Sequence, residues 1–284
     1  MTIQIGLRAQ DISEHSFDHL FAVTKNYGFN NVQFDPFKFL PASLIKSTDA
    51  YSSGLLTMIA DKFREAGISI SVLGNYVNII DYDRRTQWEN LQTFADSLAA
   101  AKYLHAGAVG TETGSVLSPF GYSRDNYTTE ALNRVIAAVK KMATDAERLG
   151  SILAIEPGIN HPMNNNYAVR QVLDEVNSPN LFVIFDLANL LSADNQHNQD
   201  EILANADRLY GNRICTFHLS DIQFVNGQRE NVPFGTGIVD VERYINFINK
   251  VKPFTYAILE KTQEQDLDQA VHLIRKYDHD FDLK

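Results

Sequence analysis

Residues 128–156, TTEALNRVIAAVKKMATDAERLGSILAIE, hold one complete unit of the pattern that decides the fold. Ala131, Val135, Ala138, Val139 and Met142 recur at i, i+3/i+4 spacing, which gathers apolar side chains on one face of a helix over 128–149. Gly150 follows, and glycine readily takes the left-handed conformation that closes a helix. Ile152, Leu153, Ala154 and Ile155 then form a short apolar run of the kind found in a buried strand, and that run stops on Glu156.

The same unit recurs in both directions. Strand-like runs fall at 3–8, 31–35, 68–74, 106–110, 152–156, 181–186, 213–218 and 256–260. Helix-like stretches lie around 16–27, 53–66, 86–104, 128–149, 167–176, 199–210, 240–250 and 264–277. Gly28, Gly67, Gly107, Gly150 and Gly211 stand where a helix ends and a strand soon begins, and Pro179 and Pro253 mark the other two junctions. Eight strands in 284 residues give about 35 residues per unit, the size of a βα repeat in a (β/α)8 barrel of ~250 residues or more. A doubly wound sheet alternates in the same way, but no Gly-x-Gly-x-x-Gly follows the first strand and no Pro/Gly/Ser-rich linker divides the chain. The sequence therefore predicts an α/β fold, a single (β/α)8 TIM barrel, as one domain over residues 1–284.

Composition narrows the partners. A net charge of −10 argues against a nucleic-acid surface, which needs clustered cations to neutralise phosphates. The one cysteine, Cys215, excludes an intramolecular disulfide and a Cys-rich metal site. Strand parity would turn it onto the helix layer as an inert buried thiol. The chain starts with neither a basic segment nor an apolar leader, and its longest apolar runs have about 5 residues against the ~18 of a membrane span. The expectation is a cytoplasmic protein that handles a small molecule, without membrane or nucleic acid, with homo-oligomerisation left open.

Four of the strand-like runs end alike. Those at 152–156, 181–186, 213–218 and 256–260 run apolar and then reach Glu156, Asp186, His218 and Glu260. Because side chains alternate along a strand, Ile155, Phe185, Phe217 and Leu259 would face the helices. The four polar residues would then face the barrel axis at its C-terminal mouth, where such barrels carry their chemistry. Three carboxylates and an imidazole converging there would need a divalent cation, and oxygen ligands with one nitrogen suit Mn2+, Mg2+ or Co2+ better than a closed zinc site.

On these residues the chain resembles the xylose isomerase-like TIM-barrel superfamily, in its sugar (phosphate) isomerase/epimerase branch that includes the ketose 3-epimerases. The motifs carrying the resemblance are Ala154-Ile155-Glu156-Pro157, Phe185-Asp186-Leu187-Ala188-Asn189, Phe217-His218-Leu219-Ser220-Asp221, the Gly235 to Asp240 segment, and Leu259-Glu260. They span the last half of the chain; the first half matches in architecture only. The resemblance implies one metal held by Glu156, Asp186, His218 and Glu260, with Mn2+ as the ion and Mg2+, Co2+ or Zn2+ as alternatives. It also implies Glu156 and Glu260 as the catalytic acid/base pair, one on each face of a sugar or polyol. One would remove a proton to give a metal-bound cis-enediolate, and the other would return it. Asn189 departs from the branch, whose ketose 3-epimerases usually have a histidine at that position.

Further substrate contacts are expected from His161 in the loop after Glu156, from Glu112 in the Gly110 to Ser115 segment read as a loop after the fourth strand, and from Asp221 beside His218. Arg8, Asp35, Asn75, Tyr76 and Asn78 lie at or beyond the first three strands and would form the far wall of the pocket. Lys261 follows Glu260, and parity points it away from the axis. The same scaffold also serves inosose- or dehydroshikimate-type dehydratases and non-catalytic sugar-binding barrels, and both stay open. An endonuclease IV-like reading would need more histidines at the mouth and a basic face.

Overall fold

The structure is a computed structural model that describes residues 3–46, 51–118 and 121–278. Eight parallel strands close into a barrel. In chain order they are β1 (Gln4–Arg8), β2 (Asn31–Phe34), β3 (Ser69–Gly74), β4 (Ala108–Glu112), β5 (Leu153–Glu156), β6 (Leu181–Asp186), β7 (Ile214–Leu219) and, after a hairpin of β8 (Asp221–Val225) and β9 (Gln228–Val232), β10 (Tyr256–Leu259). Each strand pairs with its neighbours in chain order, and β10 closes the circle between β7 and β1. This is the (β/α)8 barrel that the spacing of the sequence predicts.

The helices lie outside: α1 (Phe17–Asn26), the short α2 (Pro36–Phe39), α3 (Ser53–Ala66), α4 (Arg84–Tyr103), α5 (Thr129–Leu149), α6 (Asn166–Val176), α7 (Gln199–Tyr210), α8 (Val241–Val251) and α9 (Leu267–Tyr277). Side-chain caps start most of the longer ones, such as Thr128 on the backbone N–H of Ala131 and Asp240 on that of Arg243. Gly67 and Gly150 close α3 and α5 in the left-handed conformation, as expected. At Gly107 and Gly211 the expectation fails. His105 takes the positive φ before β4, and Gly211 stays right-handed because a short 3-10 turn continues the chain.

Two apolar regions hold the barrel. The large one lies between strands and helices and includes Ile155, Phe185, Phe217 and Leu259. The small one plugs the barrel interior and consists of Val72, Ala108, Ala154 and Ile184, with Ile152 and Cys215 against it. Cys215 therefore does not face the helix layer. An irregularity in the β6–β7 pairing sets Ile214 opposite Val183 but Thr216 opposite Ile184, which breaks simple alternation at the cysteine between them.

Three boundaries shift. Strand β4 runs on to Glu112, so the start of the expected loop is strand, and Glu112 lies beside Glu156 in the ladder. Strand β10 stops at Leu259, one residue before Glu260. The β8–β9 hairpin occupies a stretch between 218 and 240 to which the sequence reading assigns no element. Among the described residues no helix is long and apolar enough to cross a membrane.

Candidate metal centre

The inward alternation that puts Ala154 and Ile184 in the plug carries Glu156 and Asp186 to the next level up the axis. In the β6–β7 ladder Asp186 pairs with His218, and the Glu260 N–H donates to the carbonyl of Leu219, extending the β10–β7 register by one residue. The result is a buried group of Glu156, Asp186, His218 and Glu260, each offering a ligand atom within 4.8 Å of all the others. At that separation and an effective dielectric of ~20, each pair of ionised carboxylates would repel by roughly 3–4 kcal/mol. Compensating positive charge is required.

Each glutamate is held by one oxygen. Glu156 Oε1 accepts a 2.6 Å hydrogen bond from Asn189 Nδ2, and Glu260 Oε1 accepts from Arg8 Nη1. The other oxygens, Glu156 Oε2 and Glu260 Oε2, are buried without a hydrogen-bond partner. His218 Nδ1 is also unpartnered. It lies 3.2 Å from Glu156 Oε1 and 3.4 Å from Glu260 Oε2, without hydrogen-bond geometry to either. Buried polar atoms are nearly always satisfied, so three orphans facing one point mark the place of a missing partner. The set of three carboxylates and one imidazole fits a divalent ion.

The supporting contacts orient these lone pairs. Gln33 donates its amide N–H to the Tyr76 hydroxyl at 3.2 Å, which turns its Oε1 toward His218 Nε2 at 2.7 Å. His218 then keeps its proton on Nε2 and offers Nδ1 as a ligand. Asp186 accepts from the Ala188 N–H at 2.9 Å and from Ser220 Oγ at 2.6 Å. The Tyr244 hydroxyl reaches the carbonyls of Phe185 and His218 at 3.0 and 2.9 Å, fixing the ends of β6 and β7 relative to each other.

Electrostatics follow from this crowding. Burial opposes charge on His218, but Glu156 and Glu260 outweigh it and carry the imidazole up to about 10 in the metal-free protein. Burial, with Glu156 and Glu260 nearby, raises Asp186 to about 6. Burial also acts to raise Glu260, yet Lys261, Arg8 and His218 hold it well below the usual carboxylate range. Glu112 is pushed up by burial, with His161 opposing.

The expected pocket residues divide into three groups. Glu112, His161 and Asn189 line a cavity of about 190 Å3 at the mouth. His161 Nδ1 contacts the Gly114 carbonyl at 2.8 Å, and its Nε2 lies 3.6 Å from Glu112 Oε2. A larger cleft of about 940 Å3, bounded by Tyr82, Val116 and Arg134, contains none of the four ligand residues. Arg8 and Tyr76 do reach the centre, but through Glu260 and Gln33; Arg8 is also clamped by both oxygens of Asp11 at 2.7 and 2.8 Å.

Asp221 does not face the pocket with a free oxygen. Its two oxygens accept from the N–H groups of Ile222, Gly235, Gly237 and Val239, folding the segment that leads into α8. A Cβ at Gly237 would meet Asp221 Oδ1 at 2.4 Å, so the glycine of that motif serves this close approach. Asp35, Asn75 and Asn78 are likewise engaged in structure. Asp35 caps α2, Asn75 donates to the Thr93 carbonyl and Ser97, and Asn78 donates to the carbonyls of Ser115 and Leu117.

Two cations at the mouth were missed. Lys261 has φ +59°, and this left-handed residue after β10 defeats the parity argument that turned it outward. Its Nζ lies 3.7 Å from Glu260 Oε2 and lines the mouth cavity. Arg229 comes from β9 and lines the same cavity. Gln33 was missed too, although a glutamine two residues after Asn31 in a barrel strand is itself a sign of an inward polar face.

The profile of the Xylose isomerase-like TIM barrel family matches residues 21–277. No curated protein matches the sequence. Among solved structures, the chain is similar to the IOLI protein with a binding zinc atom at 17% identity and a TM-score of 0.76, covering 99% of this chain and 100% of that one. It is similar to the 3-keto-D-glucoside 4-epimerase YcjR from E. coli at 14% identity and TM-score 0.71, covering 97% and 98%. Similarity to the probable 3-DHS dehydratase AsbF from Bacillus anthracis is at 14% identity and TM-score 0.71, covering 96% and 99%. At such identities the likeness to these structures is one of fold. With the closed barrel, the buried Glu–Asp–His–Glu cluster and the family match over most of its length, the chain belongs to the xylose isomerase-like TIM barrel family.

Proposed function

We propose that the protein is a divalent-metal-dependent sugar isomerase or epimerase that moves a proton at the carbon next to a ketose carbonyl, with Mn2+ as the ion. The observation that carries this reading is the matched state of the two glutamates: each has one oxygen pinned by a protein donor and a second buried oxygen with no hydrogen-bond partner. The metal, when bound by Glu156, Asp186, His218 and Glu260, supplies Lewis-acid polarisation of a carbonyl and its neighbouring hydroxyl. Everything else falls to the chain. Asn189 and Arg8 fix the two carboxylates in place, and a fixed carboxylate is an effective proton acceptor because no reorganisation precedes transfer.

The partners differ in charge. Glu260 is held by a guanidinium with an ammonium nearby, which keeps it ionised. Glu156 is held by a neutral amide. If each serves one face of the substrate, removal by one and return by the other inverts the carbon. Return to the adjacent carbon on the same face gives isomerisation instead. His161 and Glu112 at the mouth are suited to hydrogen-bond sugar hydroxyls.

The test is proton–deuterium exchange from D2O into a panel of ketoses with the Mn2+-loaded protein. Glu156→Gln and Glu260→Gln should each lose ~10²-fold or more in net conversion, the scale of a lost acid–base group. One of the two should still wash deuterium into a single epimer. Near wild-type conversion in both variants with metal bound would overturn the two-glutamate reading. A product lighter by one water would assign the chain to the lyases.

A further inference from the structure

The mouth cavity beside the metal centre contains two positive groups: Arg229, which the proton-transfer chemistry above does not use, and Lys261, whose part there is to keep Glu260 ionised. Arg229 projects from β9, and Lys261 follows Glu260. The surroundings of Arg229 are unusual for a guanidinium. Its Nη2 donates to the Ala188 carbonyl at 3.2 Å and to Asn189 Oδ1 at 3.3 Å, its Nη1 reaches Asn231 Oδ1 at 3.4 Å, and its Nε is buried with no partner. Among the described residues no carboxylate lies within ion-pair distance of it. Asp186, Glu260 and Glu112 act on the Arg229 charge only from a distance, so a ligand's negative group in direct contact with the guanidinium would be favoured.

Lys261 adds the second charge. Its φ of +59° is costly for a residue with a Cβ, and the turn is pinned where its N–H donates to Asp11 Oδ2 at 2.7 Å. That turn brings the ammonium over the mouth rather than out onto the helix layer. Arg229, Lys261, Asn189, His161 and Glu112 then border one cavity of about 190 Å3, room for roughly six waters. Glu112 is the acid facing this space, 3.6 Å from the His161 imidazole.

We infer that Arg229 and Lys261 form an anion subsite, and that the substrate is a ketose carrying a carboxylate or phosphate rather than a neutral sugar. The inference rests on the functional reading above for the words ketose and substrate, but the subsite itself rests on the two cations and the cavity. Carboxylate and phosphate share the chemistry that a guanidinium and an ammonium recognise. The alternative is that both cations serve the fold, with Lys261 offsetting Glu260 and Arg229 clamping the segment after β6.

Binding rather than turnover tests this. Calorimetric titration of the Mn2+-loaded protein with D-fructose, D-fructuronate and D-fructose 6-phosphate should show one of the anionic ketoses binding about 10-fold or more tightly than D-fructose. Which one does so separates the sugar acid from the sugar phosphate. Arg229→Gln and Lys261→Met should each collapse that preference to within about 3-fold, and Lys261→Arg should keep it. Equal affinities, no binding by any of the three, or a preference that survives both neutral variants would overturn the subsite. Failure of the function looks different: the anionic preference persists while no ketose in the panel exchanges deuterium.

Discussion

The mouth of the barrel has two halves that do different work. At the ends of β5, β6, β7 and β10 stand Glu156, Asp186, His218 and Glu260, and three of these four residues carry a buried atom with no partner. At the ends of β1 to β3 stand Arg8, Gln33 and Tyr76: Arg8 reaches Glu260 while Asp11 holds the rest of its guanidinium, and Gln33 links Tyr76 to His218. One half offers lone pairs; the other decides where they point. The difference teaches that ligand geometry here is set across the barrel, by strands far away in sequence: Gln33 and His218 are separated by 185 positions.

That division can be broken at its hinge. Gln33→Leu removes the acceptor that fixes His218 with its proton on Nε2, and leaves all four ligands in place. Metal affinity should fall by ~10- to 100-fold, the usual effect of losing a group that orients a histidine ligand, while one ion per chain still binds at saturation. Competition against a chelator measures it. Unchanged affinity would mean that the β1 to β3 half is only a wall.

The halves can be sharpened by pH. In the metal-free protein Glu156 and Glu260 outweigh burial and raise His218 to about 10, and burial raises Asp186 to about 6. A ligand must surrender its proton to bind, so the ion competes with protons and affinity rises with pH. Between about 6 and 10 His218 has a proton to give up and Asp186 has none, and affinity should rise tenfold per unit. Below about 6 Asp186 adds a second proton and the slope should approach a hundredfold per unit. A flat dependence from pH 6 to 8 would show that His218 is neutral before the ion arrives.

The sequence makes the first half legible and the second only in part: Arg8 and Tyr76 are expected at the pocket wall, whereas Gln33, Lys261 and Arg229 are not. Glu156 and Asp186 end apolar strands and His218 stands one residue before the end of its own, so alternation turns them inward, and Glu260 continues the same pattern one residue past β10. Repeat length and helix periodicity likewise identify the barrel. Gln33 obeys the alternation of β2, with Val32 and Phe34 turned to the helices, but nothing in its own strand shows that it meets a histidine 185 positions away. Lys261 has a left-handed backbone, and no composition rule marks a lysine for that conformation. Arg229 belongs to a hairpin whose turn, Asn226-Gly227, is a recognisable hairpin signal in a stretch with no expected element. Asp221 is legible as a polar neighbour of His218, but three of the four backbone N–H groups it accepts from belong to a segment 14 to 18 residues later.

The central claim is that four side chains from four strands hold one divalent ion. The direct measurement is metal content and affinity, by elemental analysis and Mn2+ titration, of the wild-type chain beside Asp186→Asn and His218→Ala. The account predicts one ion per chain in the wild type and a loss of ~10-fold or more in affinity for each variant. Wild-type stoichiometry and affinity in both variants, or no ion in the wild-type chain, would contradict it.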